Sequence, residues 1–176
     1  MFTYACSRRH LGVLVAGLLA SSAMLVGCDS TPDVVKIGVA QPLSGNLSAL
    51  GQDMLNGVKL AVAEINKEGF KIKGKTVTLE VVAMDDRADA ATGKEVARQL
   101  VDAGVVAVIG HLNSGVSIEA APVYAEKHVA QLAISTNPKF TQLELGTTFR
   151  LVANDTLQAK AIGSFAANQL NASKFA

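Results

Sequence analysis

The chain has 176 residues, of which 49% are apolar and 18% charged, with 16 basic and 15 acidic side chains. This near balance, without a cluster of basic residues, gives no sign of nucleic-acid binding, and the moderate glycine and proline contents argue against disorder. Two cysteines are too few for a disulfide scaffold. The length predicts about one domain, large enough to bury a core of its own.

The first residues have the pattern of an export signal. Arg8 and Arg9 precede an apolar run at 11–27, which is the order of a signal peptide's charged and hydrophobic regions. A short transmembrane anchor is the alternative, but a spanning helix normally needs about 20 apolar residues. We therefore predict a signal peptide at 1–27.

The apolar run ends in the sequence LVGC, which resembles the lipobox of bacterial lipoproteins. Cys28 is then the residue that receives the lipid, and 28–33 is a short tether. Several acyl chains would hold the protein stably at a membrane, because each buried CH₂ contributes about 0.8 kcal/mol. Asp29 resembles the signal that retains such proteins at the inner membrane. These features predict an extracytoplasmic, lipid-anchored protein.

The remaining chain alternates between strand and helix patterns. Apolar and β-branched runs predict strands at 34–40, 77–81, 105–109, 132–134 and 149–152. Helical spacing of apolar residues predicts helices at 54–65, 90–101, 115–127 and 156–170. The continuous apolar run at 105–109 is typical of a strand buried on both faces. The order predicts an α/β fold in three αβα layers, with a parallel, doubly wound sheet.

Ligands of such sheets bind in loops at the carboxyl ends of the strands, here 41–51, 85–89, 110–117 and 135–141. The loop 110–117 opens a helix, whose N-terminus favours an anion. Ser114 either offers its hydroxyl to a carboxylate or caps that helix. Thr136 follows the next strand, so its hydroxyl and N–H are expected at the same edge of the sheet.

Other chemistries find little support in the sequence. It contains no G-x-G-x-x-G, Walker or G-x-S-x-G motif, so we predict no cofactor and no catalytic nucleophile. The D-D-x-x-D pattern at 85–89 occurs in magnesium diphosphate sites, but on a strand-to-helix loop it favours helix capping. His111 is expected to shape its turn rather than to bind metal. Tyr124, Phe149 and Phe165 are expected in the core.

Five segments occur together in an order typical of one family. They are KIGVAQPLSG at 36–45, the segment 51–66, the acidic pair at 85–86, VIGHLNSG at 108–115 and TNP at 136–138. The sequence resembles the leucine/isoleucine/valine-binding protein family, the type I periplasmic substrate-binding components of branched-chain amino-acid ABC transporters. The resemblance spans 34–176 and implies the N-terminal lobe of a two-lobed protein, with the second lobe absent.

The resemblance also implies a set of ligand contacts: Leu50, Leu112, Asn113, Ser114, Ser135 and Thr136. Ser114 corresponds to the hydroxyl that holds the ligand's α-carboxylate, and Thr136 to a threonine that meets the same head group. Leu50 lies where the family often places an aromatic residue. The loop before Thr136 is shorter than usual, because Ser135 joins it directly.

The resulting functional hypothesis is a truncated substrate-binding component of an ABC uptake system for a branched-chain amino acid, without catalysis. Its expected partners are that small-molecule ligand, an ABC permease and, through the lipid on Cys28, a membrane. The alternative is a sensor or binding protein of the same fold for urea, amides or aromatic acids. An α/β enzyme is less favoured, because the nucleophile and nucleotide motifs are missing.

Overall fold

The structure is a computed structural model that describes residues 31–174. The signal peptide predicted at 1–27 and the predicted lipidation residue Cys28 lie outside the described residues, as does Asp29. A compact unit begins at Pro32 and contains all the elements discussed below.

The described residues form alternating strands and helices. In chain order these are β1 (Val34–Gln41), α1 (Ser48–Glu68), β2 (Lys71–Ile72), β3 (Lys75–Thr76), β4 (Thr78–Asp85), α2 (Ala90–Asp102), β5 (Val105–Gly110), α3 (Ser114–Glu126), β6 (Ala130–Ala133), β7 (Thr148–Arg150) and α4 (Asp155–Asn168). Short 3-10 helices occupy Gly45–Leu47 and Pro138–Phe140. Apart from β2 and β3, this order matches the one predicted from the sequence.

Five of these strands form one parallel sheet in the order β4-β1-β5-β6-β7. The chain leaves β1 toward β4 on one side and then returns to β5 on the other. The carboxyl ends of β1 and β5 therefore flank the point where the winding direction reverses, which is where open α/β sheets form their ligand crevice. The predicted fold class is confirmed.

Helices cover the two faces of the sheet. Consecutive residues of a strand point to opposite faces, and Val39 and Ala40 of β1 accordingly belong to different apolar clusters. Val39 packs with Leu55 and Val58 of α1. Ala40 belongs to the cluster that includes residues of α2 and α3, among them Val96, Ala97, Leu100, Ala120 and Tyr124. The sheet is the middle of three αβα layers.

Helix α1 begins earlier than its apolar spacing predicts, at Ser48 rather than near 54. The additional turns contain Gly51, which is buried where the helix crosses the chain after β1. A Cβ at this position would lie 2.1 Å from the carbonyl oxygen of Pro42. The missing side chain thus permits the close approach that places the start of α1 beside the end of β1.

A small antiparallel hairpin of β2 and β3 was not predicted. Its two turn residues, Lys73 and Gly74, both have positive φ angles, of 51° and 84°. Two positive φ angles are required by a type I′ turn, and glycine suits the second of them. Strands of two residues are too short to show a two-residue periodicity, so the glycine was the available sequence signal.

Three predictions of burial are wrong. Val106 of β5 is 54% exposed, although its strand was predicted to be buried on both faces. Phe149 and Phe165 were predicted in the core but are 50% and 57% exposed. These side chains are exposed because helices do not cover the whole sheet. Helix α1 packs on β4 and β1 rather than on β5, and β7 is the last strand of the sheet. Helix α4, which contains Phe165, buries no residue. Tyr124 is fully buried, as predicted.

Within residues 31–174, no helix combines the length and the apolar character that a membrane crossing requires.

Candidate functional site

The parallel register brings the predicted ligand loops to one edge of the sheet. Gln41 of β1 pairs with Asp85 of β4, and Ala40 with Gly110 of β5, so the three strands end at the same level. Strand β6 lies next to β5. The turn 111–114 after β5 and the loop 135–137 after β6 are therefore neighbours, and together they are called the rim below.

Ser114 is the first residue of α3, and its hydroxyl does not cap the helix. The N-cap is Asn113, which makes no capping hydrogen bond through its side chain. The Ser114 hydroxyl instead accepts a hydrogen bond from the backbone N–H of Asn137, at 3.3 Å. The first backbone N–H groups of a helix have no partner within it and carry partial positive charge, which favours a bound anion.

Leu112 and Asn113 lie beside Ser114 in the same turn, and both are half-buried. The side-chain oxygen of Asn113 is buried and has no hydrogen-bond partner among the described residues. An unpaired buried acceptor costs free energy, about 1–3 kcal/mol in mutational data. This turn therefore places the side-chain oxygen of Asn113, a buried acceptor without a partner among the described residues, next to the N-terminus of α3.

Thr136 and Ser135 occupy different depths of the loop after β6. Thr136 is half-buried, and its carbonyl accepts a hydrogen bond from the N–H of Asp155 at 2.8 Å. Ser135 is buried, and its hydroxyl contacts that of Ser117 and the carbonyl oxygen of His111. The buried Ser135 side chain thus connects the loop after β6 to α3 and to the turn after β5, whereas Thr136 is partly exposed at the surface of the rim.

Leu50 stands apart from these residues. It lies in the first turn of α1, after β1, and 56% of its surface is exposed. Strand β5 separates β1 from β6 in the sheet. The structure therefore brings Leu112, Asn113, Ser114, Ser135 and Thr136 together in the rim and leaves Leu50 at a distance of two strands from the loop of Thr136.

A buried polar network beneath the rim was not predicted. The carboxylate of Asp86 lies 2.7 Å from Nδ1 of His111, and Nε2 of His111 lies 3.2 Å from the Tyr124 hydroxyl. Asp86 also accepts a hydrogen bond from the N–H of Ala88 at 2.9 Å. Burial raises the pKa of Tyr124 above its usual value, and the charge of Asp86 adds to the effect. The ring of His111 thus connects its turn to Asp86, which is 25 positions away in the chain.

The three aspartates of the D-D-x-x-D pattern have separate roles. Asp89 caps α2 by accepting the N–H of Thr92 at 2.7 Å, as predicted. Asp85 accepts the N–H groups of Leu43 and Arg87 at 2.8 and 2.9 Å. Asp86 belongs to the buried network, so a capping role for the whole pattern is wrong. Among residues 31–174, no three His, Cys, Asp or Glu side chains form a group suited to a metal ion.

Two recesses lie away from the rim. One, of about 440 Å³, is apolar and lies between α1 and the sheet, against Met54, Val58 and Ile109. The other, of about 450 Å³, lies between α2 and α3 and is bordered by Lys94, Arg98 and Glu126. Neither contains a residue of the rim. We place the candidate site at the rim, because parallel sheets bind ligands at the carboxyl ends of their strands.

The fold and the rim define a class of protein. A doubly wound αβα lobe has its ligand loops at the switch point of the sheet, and those loops carry hydroxyl groups, an uncapped helix N-terminus and no glycine-rich nucleotide motif. This arrangement suits the binding of a small ligand at the ends of the strands. The class is that of an α/β ligand-binding lobe.

Comparison with known proteins gives the family. The sequence profile of the periplasmic binding protein family matches residues 34–176, and the chain belongs to this family. Leu/Ile/Val-binding protein homolog 2 of Brucella abortus is 40% identical over 164 residues, which are 93% of this chain and 43% of the relative. The relatives are binding proteins rather than enzymes, as the sequence predicts.

Solved structures agree with this assignment. The branched-chain amino acid transporter substrate-binding protein LivJ of Streptococcus pneumoniae, in complex with isoleucine, has a TM-score of 0.71 and 31% identity; the match covers 78% of this chain and 39% of LivJ. A solute-binding protein of Rhodopseudomonas palustris in complex with 3,4-dihydroxybenzoic acid has a TM-score of 0.66. This match covers 78% of this chain and 37% of the solute-binding protein. Its identity is 24%, so it shares the fold alone. The chain spans less than half the length of each of these proteins.

Proposed function

We propose that the chain is a ligand-binding lobe of the extracytoplasmic component of an ABC uptake system, and that its ligand is a branched-chain amino acid. The observation that carries the proposal is the contact between Ser114 and Asn137. Because the Ser114 oxygen accepts the Asn137 N–H, its own proton remains available to a ligand. The names of the Brucella and Streptococcus relatives support the choice of ligand.

In this proposal the rim binds the ligand's carboxylate. The Ser114 hydroxyl and the first N–H groups of α3 donate to the carboxylate oxygens, and Thr136 adds its hydroxyl and N–H. Hydrogen bonds to charged groups contribute about 1.5–3 kcal/mol each. Association itself costs several kcal/mol, so we expect these bonds to leave a dissociation constant on the order of 1 mM for this lobe alone. Leu112 lies beside the head group, and the exposed Leu50 faces the ligand side chain from α1.

The proposal also covers the organisation of the chain. Residues 34–176 correspond to the N-terminal lobe of the longer relatives, after a signal peptide at 1–27 and a tether at 28–33. Cys28 carries the lipid, and Asp29 retains the protein at the inner membrane, where an ABC permease receives the ligand. The family assignment supports an extracytoplasmic location for this lobe.

A titration followed by NMR tests the ligand and its orientation. The isotope-labelled chain is purified as the expression host processes it and titrated with leucine, leucinamide and 3,4-dihydroxybenzoate. Leucinamide keeps the ammonium group and the side chain but lacks the carboxylate, whereas the benzoate keeps a carboxylate and lacks the ammonium group. We expect leucine to shift the amides of Ser114, Gly115 and Thr136, with a dissociation constant on the order of 1 mM.

The other ligands separate the competing interpretations. Equal shifts with leucinamide would contradict recognition through the carboxylate and favour the amide-binding alternative. Tighter binding of the benzoate would favour an aromatic acid as ligand. Leucine shifts confined to the recess under α1, at Met54 and Val58, would contradict the rim as the site.

A further inference from the structure

Arg150, the last residue of β7, contacts the loop that carries Thr136. Its Nη1 donates to the carbonyl oxygens of Ser135 and Asn137, at 2.7 and 2.8 Å. These two carbonyls belong to the residues directly before and after Thr136. The guanidinium therefore holds the backbone on both sides of a predicted ligand-binding residue.

The same guanidinium also holds the far part of this loop. Its Nη2 donates to the carbonyl oxygen of Pro138 at 3.4 Å and contacts the hydroxyl of Thr141. The guanidinium carbon lies 6.0 Å from the ring centre of Phe140, a distance at which a cation is attracted to an aromatic face. Phe140 is fully buried in the cluster with Ala121 and Ala133. This cluster anchors the loop, and Arg150 fixes the path of its backbone.

Asn137 connects this arrangement to Ser114. Its carbonyl accepts from Arg150, and its N–H donates to the Ser114 hydroxyl. A planar guanidinium with several donors in fixed directions can hold several carbonyls in one geometry, which the single ammonium of a lysine cannot do in the same way. Movement of the loop would therefore change both the position of Thr136 and the hydrogen bond received by Ser114.

We propose that Arg150 is a positioning residue for ligand recognition: by holding the carbonyls of Ser135 and Asn137, it sets the separation between the hydroxyls of Ser114 and Thr136. This inference rests on the proposed function and adds a residue that does not itself touch the ligand. A preformed site avoids the free-energy cost of ordering a loop during binding. Loss of the guanidinium therefore weakens binding even where the fold is kept.

The test is a leucine titration of the processed chain with Arg150→Lys, Arg150→Gln and Arg98→Lys. Arg98 is an exposed arginine that pairs with Glu95 on α2, and its replacement is the matched control. We expect Arg150→Lys to weaken leucine binding about tenfold, the equivalent of one charge-assisted hydrogen bond. Arg150→Gln is expected to weaken it further, and Arg98→Lys to leave the affinity unchanged.

A stability-matched control separates positioning from general destabilisation. Val58→Ala removes buried methyl groups beneath α1 and lowers the melting temperature without touching the rim. We expect Val58→Ala to keep the affinity for leucine while Arg150→Lys loses it. If Arg150→Lys lowers the melting temperature and retains the wild-type affinity, the positioning role is overturned.

Two further measurements test the positioning role of Arg150 separately from the proposed binding of leucine. Thr141→Val removes one contact of Arg150 without altering the arginine, and we expect a smaller loss of affinity than with Arg150→Lys. Hydrogen exchange of the Asn137 N–H is measured without ligand and is expected to accelerate in Arg150→Lys. An unchanged exchange rate overturns the positioning role, whereas the absence of any leucine response in the wild-type chain overturns the proposed function.

Discussion

The Ser114 hydroxyl accepts the backbone N–H of Asn137 across a distance of 3.3 Å, and this hydrogen bond joins the turn after β5 to the loop after β6. The two residues are 23 positions apart in the chain. They meet because β5 and β6 are adjacent and parallel, so their carboxyl ends share one edge. The contact orients the Ser114 oxygen as an acceptor and leaves its proton available for a ligand.

The buried network predicts that replacement of Asp86 lowers the free energy of unfolding much more than replacement of Asp89. Replacement of Asp86 by Ala leaves the buried ring of His111 and the partly buried N–H of Ala88 without their acceptor. We expect a loss of about 3 kcal/mol in the free energy of unfolding, because each unsatisfied buried group costs about 1–3 kcal/mol.

The matched control is Asp89→Ala, which removes an exposed helix cap. Loss of such a cap costs about 1 kcal/mol. Urea unfolding of the wild type, Asp86→Ala and Asp89→Ala measures the free energy of unfolding of each. Equal losses for the two variants would show that the contact between Asp86 and His111 contributes little to stability.

The environment of the Asp85 carboxyl predicts that the stability of the fold depends on pH. Burial raises the pKa of this carboxyl, but hydrogen bonds from Ser44 and from the N–H groups of Arg87 and Leu43 outweigh burial, and the net pKa is lowered. A carboxyl with a lowered pKa stabilises the fold above its unfolded pKa of about 3.9, and this contribution is lost as the pH falls through the folded value.

The corresponding measurement is the melting temperature across this acid range. We expect Asp85→Asn to be less stable than the wild type near neutral pH and the difference to shrink in acid. Glu80→Gln, on the same strand, serves as a control for removing one negative charge. A difference that is constant with pH would contradict the role assigned to the charge of Asp85.

Much of the fold could be predicted because its signals are local. Helix spacing and β-branched runs located the four helices and the five strands of the main sheet to within a few residues, except at the start of α1. Their alternation then restricted the topology, since parallel crossovers are right-handed and avoid crossing each other. The start of α1 was misplaced because Gly51, a poor helix former, is required there by packing on Pro42.

The support of the site could not be predicted in the same way. The contacts of Asp86 with His111 and of Arg150 with Asn137 join residues far apart in the chain, and no periodicity records them. Rim residues such as Ser114 and Thr136 followed from their place after parallel strands and from family resemblance. Exposure of Phe149 and Phe165 was missed because an apolar side chain carries no information about which surface remains uncovered.

Two glycines of α1 predict opposite effects of the same substitution. Gly51→Ala places a Cβ against the Pro42 carbonyl, and such overpacking costs about 1–3 kcal/mol. Gly57 lies in the same helix, and a Cβ added there would meet no atom within 4 Å. Gly57→Ala is therefore expected to stabilise the chain by up to about 1 kcal/mol through helix propensity. Thermal unfolding measures both, and changes of the same sign would contradict this packing of α1.

The predicted lipid anchor is tested at Cys28. In a Gram-negative host grown with an alkyne analogue of palmitate, we expect the wild-type chain to be labelled and to fractionate with membranes. Cys28→Ala should lose the label, whereas Cys6→Ala, within the predicted signal peptide, should keep it. Persistent labelling of Cys28→Ala would show that Cys28 is not the acylated residue.

The central claim, that the rim binds an amino acid through its carboxylate, is tested most directly at Ser114. The leucine titration is repeated with Ser114→Ala and with Ser48→Ala, which changes the equivalent first residue of α1. We predict that Ser114→Ala weakens leucine binding about tenfold, as expected for one hydrogen bond to a charged group, while Ser48→Ala binds like the wild type. Wild-type affinity in Ser114→Ala would contradict the account.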